Sequence, residues 1–440
     1  MDSPLLIGAA LVLFVLAFVR TEFALYLMVF SMLLSPEITT SYGGLAERRA
    51  VTLRTEDFVL LIIGFSWLAK TAVNKELGLV AKTPLNRPIV AYIAVNLMAT
   101  LLGYLMGSVK TAAGYLYVVK YIEYFVVYFM VVNNLRDRAH ARRLLAAALV
   151  TAAVVSIIGL TQIPSGARVS APFEGEAGEP NTFGGYLLFM MAIAGGIALE
   201  TTSLTVRARF AALVALMAVP FAFTLSRASY LGILPAYGAL LALTTRRRAM
   251  VALLLILVVC APMLLLIAPA SVVNRVVYTF QPEANQPTVR LGKVGLDPST
   301  SARLLSLRQA FAGWLERPIL GFGVTGFAFM DAQYARVLVE TGIVGLLCFA
   351  WLLWSVVSAA RRVHCSVVDP FDRGLALGFI AGTFGLLAHA IGSNTFIVIR
   401  IMEPFWLVAG IVLMLPVFVA EETAATGRPL PAMVPASAVR

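Results

Sequence analysis

The chain has 440 residues, of which 60% are hydrophobic and only 13% are charged, and its formal net charge is +11. Soluble domains are close to half apolar and a quarter charged, so this composition excludes an ordinary soluble protein and indicates a polytopic membrane protein. The basic residues lie mostly in short loops between apolar runs, where they set membrane topology. We therefore expect no nucleic-acid partner.

The apolar runs predict the helices of the bundle. The first stretch, residues 4–36, is interrupted only by Arg20, Thr21 and Glu22, which predicts a pair of short helices or one irregular pair. Runs long enough to cross the hydrocarbon follow at roughly 56–73, 87–106, 111–133, 143–163, 181–199, 207–225, 227–243, 249–269, 333–359, 373–393 and 400–420. They predict an all-α bundle of about 12–13 transmembrane helices, forming a single integral-membrane domain over residues 1–440.

Basic loops define the orientation of this bundle. Four of them fall on alternate sides of successive spans and so share one face: 135–143, 205–209, 244–249 and 359–365. By the positive-inside rule this face is cytoplasmic. The opposite, outer face then receives the loop 164–180, the turn 226–229 and the long segment 270–332.

The segment 270–332 is the largest predicted extramembrane region. Its second half, ARLLSLRQAFAGWLE, has the pattern of an amphipathic helix that lies along the membrane surface and caps the bundle. The following GFGVTG, residues 321–326, matches G-x-G-x-x-G. A dinucleotide site needs a strand before that motif, whereas here a helix precedes it. We predict instead that these glycines let the chain turn sharply into the next span.

Several charged side chains map to the outer face: Arg168, Arg227, Arg303, Arg308 and Asp331. A charge near lipid is costly unless it faces a cavity or a partner. Guanidinium groups bind phosphate bidentately, so several arginines on one face indicate an anchor for a polyphosphate. Alternatively, the arginines pair with acidic residues of the same face, namely Glu174, Glu176, Glu179 or Asp331.

The helix that opens at DAQYARVLVETG carries charges in its first turns. Asp331 is predicted to cap this helix by accepting hydrogen bonds from backbone amides near Gln333 and Tyr334. Arg336 and Glu340 are four residues apart and are expected to pair on one helix face. The same residues are also candidates for a functional site at the outer end of the bundle. The structural and the functional interpretation are compatible with each other.

Metal and nucleophile motifs give no alternative chemistry. No group of His, Cys and carboxylate residues has metal-ligand spacing, and no P-loop or Ser-His-Asp pattern occurs. His389 lies near the outer end of its predicted span, where a single histidine is more often a hydrogen-bonded structural residue than a catalyst. We therefore expect no metal and no other cofactor.

Four stretches resemble one protein family. ERPILGFGVTGF followed by DAQYARVLVETGIVGLL is similar to a segment shared by bacterial O-antigen ligases and Wzy-type polysaccharide polymerases. Three further stretches are similar to the same family: TLSRASYLGIL (224–234), EPNTFGGYLLF (179–189, with Arg168 upstream) and SARLLSLRQAF (301–311). The resemblance covers roughly residues 87–420 and is strongest over 160–350.

The resemblance implies a GT-C-like, metal-independent glycosyltransferase of the bacterial inner membrane, with its active site facing the periplasm. Such an enzyme transfers glycan from undecaprenyl pyrophosphate to a sugar hydroxyl, on lipid A core or on another repeat unit. Arg227 matches the arginine of the family's S-R turn, Arg303 the arginine that opens its surface helix, and Glu340 the glutamate of its E-x-G segment. Ligases have a histidine where this chain has Asp331, which favours an exopolysaccharide or capsule polymerase over an O-antigen ligase.

These arguments give one set of expected site residues. Asp331, Arg227 and Arg303 are predicted to be catalytic, the arginines by neutralising the pyrophosphate and Asp331 by positioning or deprotonating the acceptor hydroxyl. The predicted donor and glycan contacts are Arg168, Arg308, Gln333, Tyr334, Arg336 and Glu340. Expected partners are the lipid-linked glycan, its acceptor and membrane lipid, with a chain-length regulator and a flippase as further candidates.

Two other classes of protein fit the same features less well. In a transporter or flippase, the arginines would escort an anionic lipid-linked glycan and no bond would be broken. The absence of an inverted sequence repeat and the lack of a cytoplasmic counterpart to residues 270–332 argue against it. A non-catalytic membrane scaffold would not explain the arginines of the outer face.

Overall fold

A computed structural model describes residues 3–38, 53–73, 81–110, 113–174, 178–267, 290–291, 294–295, 298–328 and 330–426. Most of the predicted loop at 270–300, together with Glu176, lies outside these residues. The described chain is all-α apart from two very short antiparallel strand pairs, Glu37–Ile38 with Leu53–Arg54 and Arg290–Leu291 with Val294–Gly295. The predicted fold class is confirmed.

The helices follow one another with short connections. In chain order they are α1 Ser3–Val19, α2 Thr21–Leu34, α3 Thr55–Val73, α4 Asn86–Leu105, α5 Ala113–Asn134, α6 Arg138–Gln162, α7 Pro180–Glu200, α8 Leu204–Phe223, α9 Arg227–Leu243, α10 Arg247–Ile267, α11 Pro298–Glu316, α12 Gln333–Ser366, α13 Pro370–His389 and α14 Ile399–Thr426. The predicted pair of short helices at 4–36 is present as α1 and α2, which divide at Arg20.

Eight helices of the described chain are long and apolar enough to cross a membrane: α4 to α8 and α12 to α14. Three shorter apolar helices cover Gly8–Val19, Thr21–Leu34 and Arg227–Leu243. Fewer helices are long and apolar enough to span a membrane than the sequence predicts. Some apolar segments fold as short helices, and α3 carries three charges over its 19 residues. The protein is a polytopic helical membrane protein.

The centre of the bundle is formed by α7, α13 and α14, of which 72–78% is buried, whereas α8 is 17% buried and presents its surface outward. Glycines allow α7 and α13 to approach closely. A Cβ at Gly196 would collide with the backbone of Gly374 and Gly378, so only glycine fits this helix crossing. Small residues at such crossings are the usual device for packing helices in lipid, where no hydrophobic force drives helices together.

Buried ion pairs join the helix ends that the basic loops predict to be cytoplasmic. Asp372, fully buried, accepts from Arg138 and, at 2.8 Å, from Arg142. Asp369 caps α13 by accepting from the amide of Phe371 at 2.9 Å. Because a carboxylate buried without a partner is costly, these contacts tie α6 to the start of α13.

The helix α11 lies where the sequence predicts an amphipathic surface helix. Its residues Leu307, Phe311 and Leu315 share a face and are 42–61% exposed, whereas Ala310 is buried against the segment that leads into α12. Exposed apolar side chains in a row on one face of a helix are suited to contact with lipid. The helix thereby brings Arg303 beside the start of α12.

Candidate functional site

The turn between α8 and α9 fixes the direction of Arg227. Leu225 has a positive φ of 49°, and Ser226 caps α9 by accepting from the amide of Ser229 at 3.3 Å. A Cβ at Gly184 of α7 would collide with the Ser229 hydroxyl, so α7 lies directly against this turn. Arg227 is therefore the first residue of a capped helix and is half-buried beside α7.

Arg168 is bound to the same turn. Its Nε donates to the carbonyl of Thr224 at 2.9 Å, and its Nη2 lies 3.3 Å from both the carbonyl of Leu225 and Oδ1 of Asn181. These contacts fasten the loop after α6 to the α8–α9 turn. They bring Arg168 and Arg227 together although the two residues are distant in sequence.

Arg303 and Asp331 form an ion pair, with 3.3 Å between Nη2 and Oδ2. The side chains are 22% and 42% exposed, so the pair reaches the surface. The prediction that Asp331 caps α12 is wrong: the capping position is Ala332, which makes no side-chain capping bond. A charge-assisted bond to a guanidinium is stronger than a bond to a neutral amide, and α11 places that guanidinium within reach. Arg308 is exposed on α11.

Gln333 and Tyr334 hold this segment on the end of α13. Gln333 is fully buried. Its backbone amide donates to the carbonyl of Ala390 at 3.2 Å, and its side-chain Oε1 accepts from the backbone amide of Phe396 at 3.0 Å. The Tyr334 hydroxyl donates to the carbonyl of Leu387 at 2.6 Å. Both side chains thus position Asp331 relative to the link between α13 and α14.

Arg336 and Glu340 form the predicted i,i+4 pair, with 3.2 Å between Nε and Oε1. They are 5% and 7% exposed, and the guanidinium lies 5.6 Å from the ring centre of Tyr117. Glu340 Oε1 also accepts from the amide of Thr325 at 3.0 Å. The pair is therefore buried and binds the glycine loop from inside the bundle; it does not reach the surface.

The glycine loop turns as predicted. Gly321 and Gly323 have φ values of 65° and 86°, which other residues rarely adopt. The amide of Gly323 donates to the carbonyl of Glu340 at 2.8 Å, so the loop lies against the first turns of α12. That helix is itself interrupted at Gly342, where φ is again 65°.

His389 joins the end of α13 to the start of α7. The ring is fully buried, its Nδ1 lies 2.7 Å from the Thr395 hydroxyl, and it is hydrogen-bonded to the backbone of Asn181. Contacts therefore pass from Arg168 through Asn181 to His389, and the next residue, Ala390, accepts from the backbone amide of Gln333 at 3.2 Å. We call this end of the bundle, which carries Arg168, Arg227 and Arg303, the arginine end.

Sequence reasoning missed Asn181 and His389 as parts of this arrangement. Their only sequence signal is polarity within, or at the start of, a membrane-spanning segment, and such residues tend to face the bundle interior. That signal does not reveal which other side chains they meet.

A second buried contact between an acidic and a basic residue joins Glu174 to Arg400, with 3.5 Å between Oε1 and Nη1. Arg400 is 2% exposed and also donates to the carbonyls of Pro172 and Ser35, at 2.8 and 3.0 Å. Burial raises the pKa of Glu174 to about 8, an effect larger than the opposing attraction of Arg400. Among the described contacts, Glu174 is the partner of this overlooked arginine and not of the predicted site arginines.

Together, the fold and this arrangement define a multi-pass helical membrane protein that gathers cationic and acidic side chains at one end of its bundle. A family model described as O-antigen ligase (Wzy_C) matches residues 212–350, a range that includes Arg227, Arg303, Asp331 and Glu340. The match covers less than half of the chain; it makes this segment similar to O-antigen ligases and supports glycan transfer of the ligase or polymerase type. The comparison with curated proteins finds no match.

Proposed function

We propose that this protein polymerises glycan repeat units carried on undecaprenyl pyrophosphate, at the periplasmic face of the bacterial inner membrane. The observation that carries the proposal is the arginine end, where Arg168 binds Asn181 and Arg303 pairs with Asp331. Arg227 opens α9 at the turn that binds Arg168. Cations at the ends of membrane-spanning helices suit a lipid-borne anion that cannot leave the bilayer.

The arginines act on the leaving group. Three guanidinium groups offer fixed, forked donors to the oxygens of a diphosphate. As the glycosidic bond to the diphosphate breaks, its electron pair moves to the departing oxygen. Preorganised cations stabilise that developing charge, and in this proposal they take the part that a metal ion plays elsewhere.

Asp331 acts on the acceptor. The acceptor hydroxyl oxygen attacks the anomeric carbon from the side opposite the diphosphate, and its proton passes to the Asp331 carboxylate. Arg303, 3.3 Å away, orients this carboxylate. Gln333, Tyr334 and the Arg336–Glu340 pair maintain the position of the segment, while exposed Arg308 is available to the glycan.

The acceptor in this proposal is another repeat unit. The residue at position 331 is an aspartate where ligases of the family have a histidine, which favours a polymerase. Attachment of glycan to lipid A core is the alternative within the same chemistry, and the flippase and chain-length regulator of such a system are the expected partners.

The test is a reconstitution in liposomes with undecaprenyl-pyrophosphate-linked repeat unit as the probe. Wild-type protein is expected to release undecaprenyl pyrophosphate as the glycan lengthens, and Arg227→Ala and Asp331→Ala to abolish both. Arg248→Ala changes an exposed arginine in the predicted cytoplasmic loop and serves as the matched control. Movement of intact lipid-linked glycan without release of the diphosphate would instead identify a carrier.

A further inference from the structure

Two arginines meet at the end of the bundle opposite the arginine end. Arg207 lies in the first turn of α8, and Arg246 lies in the turn between α9 and α10. The Nη2 atoms of both side chains donate to one oxygen, the carbonyl of Thr201, each at 2.9 Å. Both side chains are half-buried and therefore reach the surface. Arg227 begins α9 at its other end, so this pair of arginines is separate from the candidate site.

Among the described residues, neither of these two guanidinium groups is paired with a carboxylate. The acid beside them is Glu200, whose oxygens accept instead from the hydroxyl of Thr244 at 2.8 Å and from Arg373 at 2.8 Å. At the same end of the bundle, by contrast, two arginines at the start of α6 are paired with carboxylates of α13. Membrane topology requires basic residues at one end, but it does not require two of them to share a carbonyl without a counter-ion.

The surface beside Arg246 has room for such a counter-ion. An open cavity of about 900 Å³ lies at the α9–α10 turn, where Thr244, Thr245 and Arg246 contribute to its lining. Like charges that converge on one oxygen repel each other, and an anion bound to both removes this repulsion. Guanidinium groups donate pairs of parallel hydrogen bonds to phosphate oxygens, so the ligand chemistry that fits is a phosphate ester.

The surroundings of the two arginines indicate that the phosphate belongs to a lipid. Leu204 lies one turn before Arg207 on α8 and is exposed, and Leu255 and Ile256 of α10 are exposed as well. The helix α8 presents most of its surface outward. Exposed apolar surface therefore extends from the arginines along two apolar helices, where acyl chains pack. A soluble phosphate would make no contact with this surface.

We propose that Arg207 and Arg246 bind the phosphate of an anionic phospholipid from the surrounding membrane. Its acyl chains lie against the exposed sides of α8 and α10, and its headgroup joins the α7–α8 turn to the α9–α10 turn. Basic pockets between membrane-spanning helices are known sites for anionic headgroups. A zwitterionic lipid fits less well, because its ammonium group would face the arginines. This inference does not depend on glycan transfer.

The test measures binding of fluorescent phosphatidylglycerol to the purified full chain in an uncharged detergent. We expect Arg207→Gln and Arg246→Gln each to weaken binding about tenfold, the effect of one charge-assisted hydrogen bond. Arg361→Gln is the matched control, because it removes the same charge from an exposed arginine near the end of α12, at the same end of the bundle. This control should leave the affinity unchanged.

Two further measurements keep the test valid if a glutamine variant loses its fold. Arg246→Lys retains the charge and a donor for the carbonyl of Thr201, and it is expected to bind phosphatidylglycerol with an intermediate affinity. In the wild type, phosphatidylglycerol should raise the unfolding temperature more than phosphatidylcholine does, because a ligand that binds only the folded state stabilises it. This second comparison needs no variant.

Three results would overturn the lipid site. Equal affinity of the wild type for the two lipids would show that the charge of the headgroup is not recognised. Equal weakening by Arg361→Gln and by the variants of the pair would show only a diffuse attraction between the lipid and this basic end. Displacement of the fluorescent lipid by an equal concentration of inorganic phosphate would identify a soluble anion as the ligand.

Discussion

The guanidinium of Arg303 on α11 lies 3.3 Å from the carboxylate of Asp331, immediately before α12. The two residues are joined across the glycine loop, so a helix exposed at the side of the bundle is coupled to the opening of a membrane-spanning helix. This relationship explains why an apolar helix is preceded by an aspartate. Asp331 is paired with a cation and does not occupy the capping position of the helix.

Asp331→Asn is expected to reduce the rate of glycan transfer about 10²- to 10⁴-fold, the usual contribution of a positioned proton acceptor. The change preserves size and leaves the protein folded, because a partly exposed ion pair contributes little to stability. The reconstituted polymerisation assay measures the rate, and thermal unfolding in detergent checks the fold. A rate equal to that of the wild type would remove Asp331 from the mechanism.

Arg303→Lys keeps the charge but removes the planar fork that binds carboxylate and phosphate together. We expect at least about a tenfold loss of transfer, because lysine cannot replace arginine at a site that uses two donors. The same assay compares this variant with Arg248→Lys, in which an exposed arginine of the predicted cytoplasmic loop is changed. Equal losses in the two variants would indicate a general effect of exchanging arginine for lysine rather than a specific role of Arg303.

Arg336→Met should destabilise the fold by about 3–5 kcal/mol, because it leaves Glu340 buried without its cation. Adding Glu340→Leu should recover part of this loss, although the amide of Thr325 then loses its acceptor. Thermal unfolding of the single and double variants forms a double-mutant cycle. Strictly additive effects would mean that the 3.2 Å contact carries no coupling.

Gly323→Ala should be strongly destabilising, because its φ is 86° and the new Cβ would lie 2.8 Å from Val109 Cγ2 and 2.9 Å from the carbonyl of Ala99. Gly107 is the matched control: its φ is 75°, but a Cβ there meets nothing within 4 Å. Gly107→Ala therefore measures backbone strain alone, about 1–3 kcal/mol. If both variants unfold at the same temperature, close packing against α4 adds nothing to the requirement for glycine.

Stability should fall as the pH rises from about 4.5 to about 8, because of Glu174. Burial raises the pKa of this carboxyl from 4.5 to about 8, so over this interval the folded protein keeps a proton that the unfolded chain has released. The contribution is complete below pH 4.5 and is lost as the pH rises through 8. The slope from one such proton is at most about 1.4 kcal/mol per pH unit.

The variant Glu174→Gln isolates this effect, since its amide does not titrate. Unfolding temperatures measured across the same pH interval should change less in Glu174→Gln than in the wild type. A pH dependence identical in the two proteins would show that Glu174 is ionised throughout, held so by Arg400.

Some features of this protein follow from the sequence because they depend on neighbouring residues. Hydropathy over some twenty residues predicts the helices, and the four-residue spacing of Arg336 and Glu340 predicts their pair. The amphipathic pattern of α11 and the need for glycine at positions 321 and 323 are equally local. In each case the physical cause, helix periodicity or backbone sterics, acts within a few turns of chain.

Other features were decided only by the tertiary structure. The partner of Asp331 lies on another helix, Glu174 pairs with Arg400 from the opposite part of the chain, and His389 meets Asn181 only where the ends of α7 and α13 converge. A charged side chain in an apolar bundle takes whichever partner the packing brings within about 4 Å, since an unpaired buried charge is costly. Which partner that is depends on how distant helices cross, and no local pattern of residues records it.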